Sequence, residues 1–431
     1  MPFRLDTAAA DFEERFSALL QSKREDGADV SAAVAAIIDQ VRAEGDAAVI
    51  ALTNKFDRRN AGTMAELALD QETLAAAYER IDDELRDALE TAAARIRAFH
   101  EKQLPRTIDY QDDAGVRLGM RYGPVDAAGL YVPGGKAAYP SSVLMNAMPA
   151  TVAGVARRVM VVPAPDGELS DPVLAAAHIA GISECWTIGG AQAVAALAWG
   201  TESIRPVDKI VGPGNAYVAT AKRQVFGRVG IDSIAGPSEI LILADSGNSP
   251  DWLAIDLLSQ AEHDEAAQAI LITDDAATAD AVMDAVEAIL PGLERSDVAT
   301  ASWRDHGAVI TVDNWQEGAD LANRIAAEHL EIATEDPHAI AAMIRHAGAI
   351  FLGRWTPEAI GDYVAGPNHV LPTARTARFS SGLGTVDFMK RTTMVECDAD
   401  ALGRIGPAAV TLAGAEGLEA HGLSISRRLN R

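Results

Sequence analysis

The feature that most constrains the fold of this chain is a repeated alternation of short apolar runs with alanine-rich segments of helical periodicity. Continuous apolar runs are typical of strands buried on both faces, and the helical segments supply the crossovers that parallel strands need. The runs form two series, so the sequence predicts two α/β units with mainly parallel sheets. The first series comprises residues 157–165, 184–190 and 208–214, and the second comprises residues 239–245, 267–275, 306–313, 329–334 and 347–353.

The two ends of the chain lack this alternation. Residues 30–52 and 72–104 place apolar side chains every three or four positions, which predicts amphipathic helices. The last fifty residues contain a helical stretch but no series of apolar runs. We therefore expect the C-terminal segment to dock on something else rather than fold by itself.

Composition narrows the class of protein. A formal net charge of -25 argues against nucleic acid or an anionic membrane as a partner, because both require a basic surface. The only two cysteines, Cys185 and Cys397, are far apart, which fits a reducing compartment and leaves nitrogen and oxygen atoms as metal ligands. The acidic N-terminal segment is unlike a signal peptide, and no apolar stretch reaches the roughly 18 residues that a membrane span needs. We expect a soluble, cytoplasmic protein.

Four glycine-rich loops lie in one half of the chain, at residues 129–142, 188–193, 211–218 and 235–240. Parallel α/β sheets bind ligands at the carboxyl ends of their strands, where such loops fall. None of the loops has the GxGxxG fingerprint of dinucleotide-binding proteins, since Tyr217 stands at the sixth position of GPGNAY. The loops are consistent with plain turns or with a rim that binds phosphate or a cofactor.

A few polar residues have a context that suggests chemistry. Gln260 and His263 are three positions apart, which places them on one face of a helix. Glu328 and His329 form an adjacent acid–base pair at the start of a predicted strand. Asp362 and His421 could complete a ligand set of two imidazoles, one carboxylate and one amide oxygen, which suits zinc or a harder ion such as manganese. Spacing alone does not establish this grouping.

Sequence blocks that follow one another from about residue 25 to 425 resemble the histidinol dehydrogenase family. The blocks are GLYVPGGKAAYPSSVLMNAMPA, IGGAQAVAALA, VGPGNAYV, AGPSEI, LLSQAEHD, AAEHLEI, AGPNHVLPT, FSSGL and GAEGLEAHG. The resemblance implies oxidation of L-histidinol to L-histidine through L-histidinaldehyde with two NAD molecules, the last step of histidine biosynthesis. It also implies one zinc ion per subunit.

The resemblance assigns roles to individual residues of this chain. It implies that Glu328 and His329 are the catalytic acid–base pair. The implied zinc ligands are Gln260, His263, Asp362 and His421. The implied substrate contacts are these four ligands with Ser238, His329, His369 and Glu416. The implied NAD contacts are Tyr131, Gln192 and Asn215, with Ser141 close by.

The resemblance also implies an intertwined homodimer of subunits that contain two incomplete Rossmann-like domains and small extended helical segments. We expect an N-terminal segment at residues 1–25, a discontinuous first domain at 26–130 and 238–380, an NAD-binding second domain at 131–237, and a C-terminal tail at 381–431. The tail is expected to complete the active site of the partner. Three alternatives stay open: a related zinc- and NAD-dependent dehydrogenase of another polar alcohol, a metal-dependent hydrolase, and a non-catalytic binding protein.

Overall fold

The computed structural model describes residues 2–21, 30–134, 139–234 and 236–429. Within them the strands are β1 Phe3–Asp6, β2 Ala68–Leu69, β3 Ile108–Gln111, β4 Arg117–Pro124, β5 Ala127–Tyr131, β6 Arg157–Val161, β7 Glu184–Trp186, β8 Lys209–Val211, β9 Gly230–Ile231, β10 Glu239–Ala244, β11 Gln268–Thr273, β12 Ala308–Thr311, β13 His329–Ala333, β14 Ala349–Leu352 and β15 Met389–Glu396.

The α-helices of the described residues are α1 Phe12–Gln21, α2 Ser31–Glu44, α3 Asp46–Phe56, α4 Gln71–Arg80, α5 Asp83–Glu101, α6 Pro140–Ala153, α7 Asp171–Ile179, α8 Gly190–Trp199, α9 Ala216–Val225, α10 Pro250–Ala261, α11 Ala276–Ile289, α12 Ser296–His306, α13 Trp315–Ile325, α14 Pro337–Ala341, α15 Glu358–Tyr363, α16 Ala399–Ala415 and α17 Glu419–Ser426. Among the described residues, no helix is both long enough and apolar enough to cross a bilayer.

The second series of apolar runs forms one six-stranded parallel sheet, as predicted. Its strand order is β1-β12-β11-β10-β13-β14. One face packs on α10, α11 and α12, and the other packs on α1 and α13. Strand β1 was not predicted, because Phe3–Asp6 alternates charged with apolar residues and becomes a strand only by pairing with β12.

The first series forms a second sheet, with strand order β2-β7-β6-β5-β8-β9. All of its pairs are parallel except β2 with β7. The prediction of mainly parallel sheets is therefore confirmed. The central strand β5 was missed, because Ala127–Tyr131 runs directly into a glycine-rich loop and its small residues carry little strand signal. Residues 135–138 of that loop, and Ala235 of another, lie outside the described residues.

Helices α2 to α5 pack on the second sheet, which differs from the expected grouping of residues 26–130 with 238–380. Helix α2 packs on α8 and α9, α4 on α7, and α5 on α6, while β2 pairs with β7. Strand β1 instead belongs to the sheet of residues 239–352. Apolar periodicity shows which face of a helix is buried, but several apolar surfaces can cover that face, so periodicity does not identify the partner.

The C-terminal segment contains a strand that the sequence did not predict. Strand β15 pairs with β4 along all eight of its residues, and β4 also pairs with β3. Most side chains of β15 are exposed, so it has neither the apolar run of a buried strand nor the alternation of a half-buried one. The following helices α16 and α17 pack on each other.

Candidate active site

Two neighbouring strands hold the predicted acid–base pair. Glu328 precedes β13, and its Oε2 accepts a hydrogen bond of 3.0 Å from the backbone N–H of Glu239, the first residue of β10. His329 begins β13, and its Nδ1 lies 3.0 Å from the carbonyl oxygen of the same Glu239. Both functional side chains are therefore anchored to a single residue of the adjacent strand, in the register that pairs Ile240 with His329.

The hydrogen bond of His329 decides which ring nitrogen can react. A carbonyl oxygen only accepts, so Nδ1 carries the proton and Nε2 has a free lone pair. Burial lowers the pKa of His329 to about 4, although Asp362 opposes this shift. The imidazole is therefore neutral at pH 7 and Nε2, which has no hydrogen-bond partner, can accept a proton.

Gln260 and His263 lie together at the end of α10. The helix ends at Ala261, so His263 stands just beyond it and is exposed, whereas Gln260 is fully buried. The Gln260 amide donates a hydrogen bond of 3.0 Å to Nδ1 of His263. The prediction that spacing of three brings them together is supported, although the turn rather than a continuing helix does so. The Gln260 carbonyl oxygen Oε1 is buried without a hydrogen-bond partner.

Asp362 on α15 lies between two imidazoles. Its Oδ1 is 3.9 Å from Nε2 of His329 and 3.7 Å from Nδ1 of His369. Nδ1 of His369 also lies 3.1 Å from the backbone oxygen of Asp362, and its Nε2 lies 3.4 Å from Oγ of Ser142. His263 is near enough that its charge would lower the pKa of both His329 and His369. Four predicted residues from separate parts of the chain therefore lie near one another: His263, His329, Asp362 and His369.

Glu358 belongs to this site and was missed from the sequence. Its side chain is 2% exposed, and Oε1 lies 3.5 Å from Nε2 of His329 without a hydrogen-bond partner. Burial raises the pKa of Glu358, and the neighbouring Asp362 raises it further. Ligand atoms of His329, Glu358 and Asp362 lie within 4.8 Å of one another, as in a metal-binding group. Its position four residues before Asp362, on the same face of α15, was a signal that could have revealed it.

The remaining predicted substrate residues are dispersed. Ser238 immediately precedes β10 and is half-buried. Glu416 follows α16 and His421 lies on α17, and both side chains are exposed. Within the part of the chain that the structure describes, neither makes a side-chain hydrogen bond or ion pair with the residues around His329. Of the four predicted metal ligands, Gln260 and His263 contact each other, and Asp362 lies beside His329 and His369.

The predicted cofactor residues lie at the carboxyl edge of the second sheet. Tyr131 ends β5, is buried, and its hydroxyl accepts a hydrogen bond of 2.9 Å from the N–H of Gly190. Gln192 is buried in the first turn of α8. Asn215 is exposed and caps α9 by accepting from the N–H groups of Tyr217 and Val218. Carboxyl edges of parallel sheets are where nucleotide cofactors bind.

Gly212 fixes the loop that leads to Asn215. Its φ is +114°, and a β-carbon there would overlap the carbonyl oxygen of Tyr131 on β5. The buried Asp232 accepts from its N–H at 2.7 Å, and the buried Lys222 donates to its carbonyl at 2.9 Å, while Lys222 and Asp232 form an ion pair. Only glycine can satisfy this backbone conformation and close approach together.

Replacement of Gly212 by alanine should therefore destabilise the protein by about 2–4 kcal/mol. Thermal unfolding measures the effect. Gly292→Ala is the matched control, because no atom lies within 4 Å of the added β-carbon. A Gly212→Ala protein as stable as this control would contradict the backbone constraint.

Two parallel α/β units, with imidazoles, carboxylates and an amide converging beside one of them, define an α/β enzyme with an acid–base site that can bind a metal. Comparison with known proteins agrees: the histidinol dehydrogenase family matches residues 20–429. The chain belongs to the histidinol dehydrogenase family, and it is an oxidoreductase.

Individual relatives match over nearly their full length. The histidinol dehydrogenase of Rhodospirillum rubrum is 62% identical over 432 residues, covering 100% of this chain and 99% of the relative. That of Ruegeria pomeroyi is 63% identical over 431 residues with the same coverage. The crystal structure of histidinol dehydrogenase from Elizabethkingia anophelis superposes with a TM-score of 0.95 at 33% identity, covering 100% of this chain and 98% of that one.

Proposed function

We propose that this protein oxidises L-histidinol to L-histidine through L-histidinaldehyde, with two NAD molecules and a bound zinc ion. The observation that carries the proposal is the neutral His329, whose free Nε2 faces Asp362 beside Glu328. An alcohol oxidation needs a base at the hydroxyl, and the second step needs a base for water. A cytoplasmic location fits this biosynthetic role.

The residues present fit a metal ion. A buried carbonyl oxygen without a partner costs about 1–3 kcal/mol, and a cation would offset this cost at Oε1 of Gln260. Gln260, His263 and Asp362, with His421 of a second copy, would provide oxygen and nitrogen ligands that suit zinc or manganese. When bound, the metal would supply a fixed anchor for the nitrogen atoms of the substrate. Holding the substrate in this way turns an encounter into an oriented reaction.

The geometry of the pair supports the following proton steps. Nε2 of His329 would accept the proton of the substrate hydroxyl, and bound NAD would supply the acceptor for the hydride of the carbinol carbon. Protonated His329 would then return its proton to the aldehyde oxygen while Glu328 accepts a proton from the water that adds to the carbonyl carbon. Neutral His329 would accept the hydroxyl proton of the resulting hydrate in the second oxidation, for which a second NAD would supply the hydride acceptor. Ser238, His369 and Glu416 would bind the polar ends of substrate and product.

The cofactor would bind at the carboxyl edge of the second sheet. Asn215 uses its Oδ1 as a helix cap, which leaves its side-chain N–H groups to donate to NAD. Tyr131 and Gln192 are both buried, and Gln192 lies in the first turn of α8. We propose that Tyr131 lies beneath the bound cofactor at this edge of the sheet. Ser141, in the first turn of α6, is half-buried close to the same edge.

A homodimer would supply the missing ligand. The elements that carry the site expose several apolar side chains: Trp252 and Ile255 on α10, Ile360 and Tyr363 on α15, and Trp355 just before α15. Trp355 is 84% exposed, and its ring packs at a tilt against that of Trp252 with the centroids 5.0 Å apart. The tail that carries His421 also exposes leucines. Surfaces of this kind are typical of interfaces. We propose that the tail of a second copy covers these exposed side chains and places His421 and Glu416 at the site.

The test is NAD reduction with L-histidinol, with and without a chelator that removes the metal. We expect two NAD reduced for each histidinol consumed, and loss of activity after chelation that added zinc restores. Reduction of NAD with another polar alcohol but not histidinol would favour the related dehydrogenase. Metal-dependent hydrolysis without NAD reduction would favour the hydrolase, and no turnover by zinc-loaded protein would favour the binding protein.

A further inference from the structure

Glu331 is a buried carboxyl group that the proposed reaction does not use. It lies on β13 two residues after His329, so both side chains point to the same face of the sheet. That face packs on α10, because Ala333, the next residue on it, shares a core with Leu257 and Leu258. The Glu331 side chain is only 3% exposed. A carboxyl group at such a position is costly unless its oxygen atoms have partners.

The main partner of Glu331 is the short helix that carries Asp362. Oε1 of Glu331 accepts a short hydrogen bond from the backbone N–H of Glu358, the first residue of α15. Asp256 lies on α10, one turn before Gln260, and is close enough to raise the pKa of Glu331, after burial itself. Glu331 therefore lies where three site elements meet: β13 with His329, α10 with Gln260, and α15 with Asp362.

Helix α15 is short and has no side-chain cap from its own N-cap residue. It contains six residues and follows Pro357. A short helix has little stability of its own and depends on tertiary contacts. The bond from Glu331 supplies such a contact at its first N–H group, one turn before Asp362. Without this bond the helix could shift away from β13 while the rest of the sheet stays packed.

We infer that Glu331 is a positioning residue: it holds α15 against β13 so that Asp362 stays among the ligands of the proposed metal. The inference rests on the proposed function, because it assumes that Asp362 binds the ion. Side chains that orient metal ligands typically change metal affinity by 10- to 100-fold when they are replaced. Glu331 would act on Asp362 through the backbone of α15 and would not touch the substrate.

The experiment measures zinc affinity by competition with a chromophoric chelator, using full-length metal-free protein. Glu331→Leu should bind zinc about 10- to 100-fold more weakly than wild type. Glu331→Gln should stay within about threefold, because the amide oxygen still accepts from Glu358 N–H. Glu331→Asp, which is one methylene shorter, should resemble Glu331→Leu. If Glu331→Leu does not fold, the contrast between the Gln and Asp variants decides the question.

A matched control separates positioning from general destabilisation. Oδ1 of Asn323 on α13 accepts from the backbone N–H groups of Arg345 and His346, on the opposite face of the same sheet. Asn323→Leu should lower the unfolding temperature without changing zinc affinity. Equal zinc affinity in wild type and in both Glu331→Leu and Glu331→Asp would overturn the inference, as would equal weakening by Gln and Leu. Wild-type protein that binds no zinc would instead overturn the proposed function.

Discussion

Replacement of His329 by asparagine should lower kcat for NAD reduction by roughly 10³-fold, within the range usual for loss of a general base. Asparagine cannot accept the hydroxyl proton at neutral pH, but its side-chain N–H can still donate to the carbonyl of Glu239, as Nδ1 of His329 does at 3.0 Å. The strand pairing between β10 and β13 should therefore persist. Steady-state kinetics with histidinol and NAD measure the loss.

Metal content distinguishes a base from a ligand in this variant. His329 lies beside Asp362 without being one of the proposed ligands, so zinc per subunit should match wild type. His338→Asn is a suitable control, because His338 is exposed on α14 and has no proposed role; it should keep full activity. Loss of zinc from the His329→Asn protein would mean that this imidazole holds the metal, and the assignment of the base would then be wrong.

Mixing two inactive variants should restore activity if the tail acts in trans. Glu328→Gln removes the water-activating base, and His421→Ala removes a metal ligand from the tail. Subunits unfolded together and refolded at equal amounts should give heterodimers as about half of all dimers, each with one intact site. The mixture should then show about a quarter of wild-type activity per subunit, whereas each variant alone should show almost none.

Three controls make the mixing experiment decisive. Native variants mixed without unfolding should stay inactive if subunits do not exchange, and refolded wild type measures the recovery of the procedure. A double variant that carries both substitutions, refolded with wild type, should give heterodimers without an intact site, because each site would lack either Glu328 or His421. Absence of recovery in the mixed sample, with normal recovery of wild type, would show that each subunit completes its own site, contrary to the exposed position of His421.

The predicted strands were those whose burial on both faces requires a continuous apolar run. Runs such as EILILA and QAILIT form β10 and β11 as expected, because residues with these side chains pack well on pleated surfaces. The strands that were missed had another source of stability. Ala127–Tyr131 is a strand because it lies centrally between β6 and β8, and Met389–Glu396 is one because it pairs with β4.

The site residues were likewise predictable only in part. Spacing in the sequence predicted that Gln260 lies near His263, and Glu328 and His329 are adjacent residues. The sequence could not show that α15 brings Asp362 to within 3.9 Å of His329, nor that Glu358 and Glu331 are buried there. Packing also decided which sheet helices α2 to α5 cover, since α2 meets α8 rather than α10.

The sequence by itself determined the two α/β units, the local pairs of functional residues and, through its ordered blocks, the family. These depend on interactions between residues a few positions apart, or on motifs that are read directly. The tertiary structure alone decided which elements meet, which nitrogen of His329 is free, and where the buried carboxyl groups lie. Contacts between residues far apart in the sequence depend on the packing of whole elements. The burial and the hydrogen bonds of a side chain are therefore determined only once that packing exists.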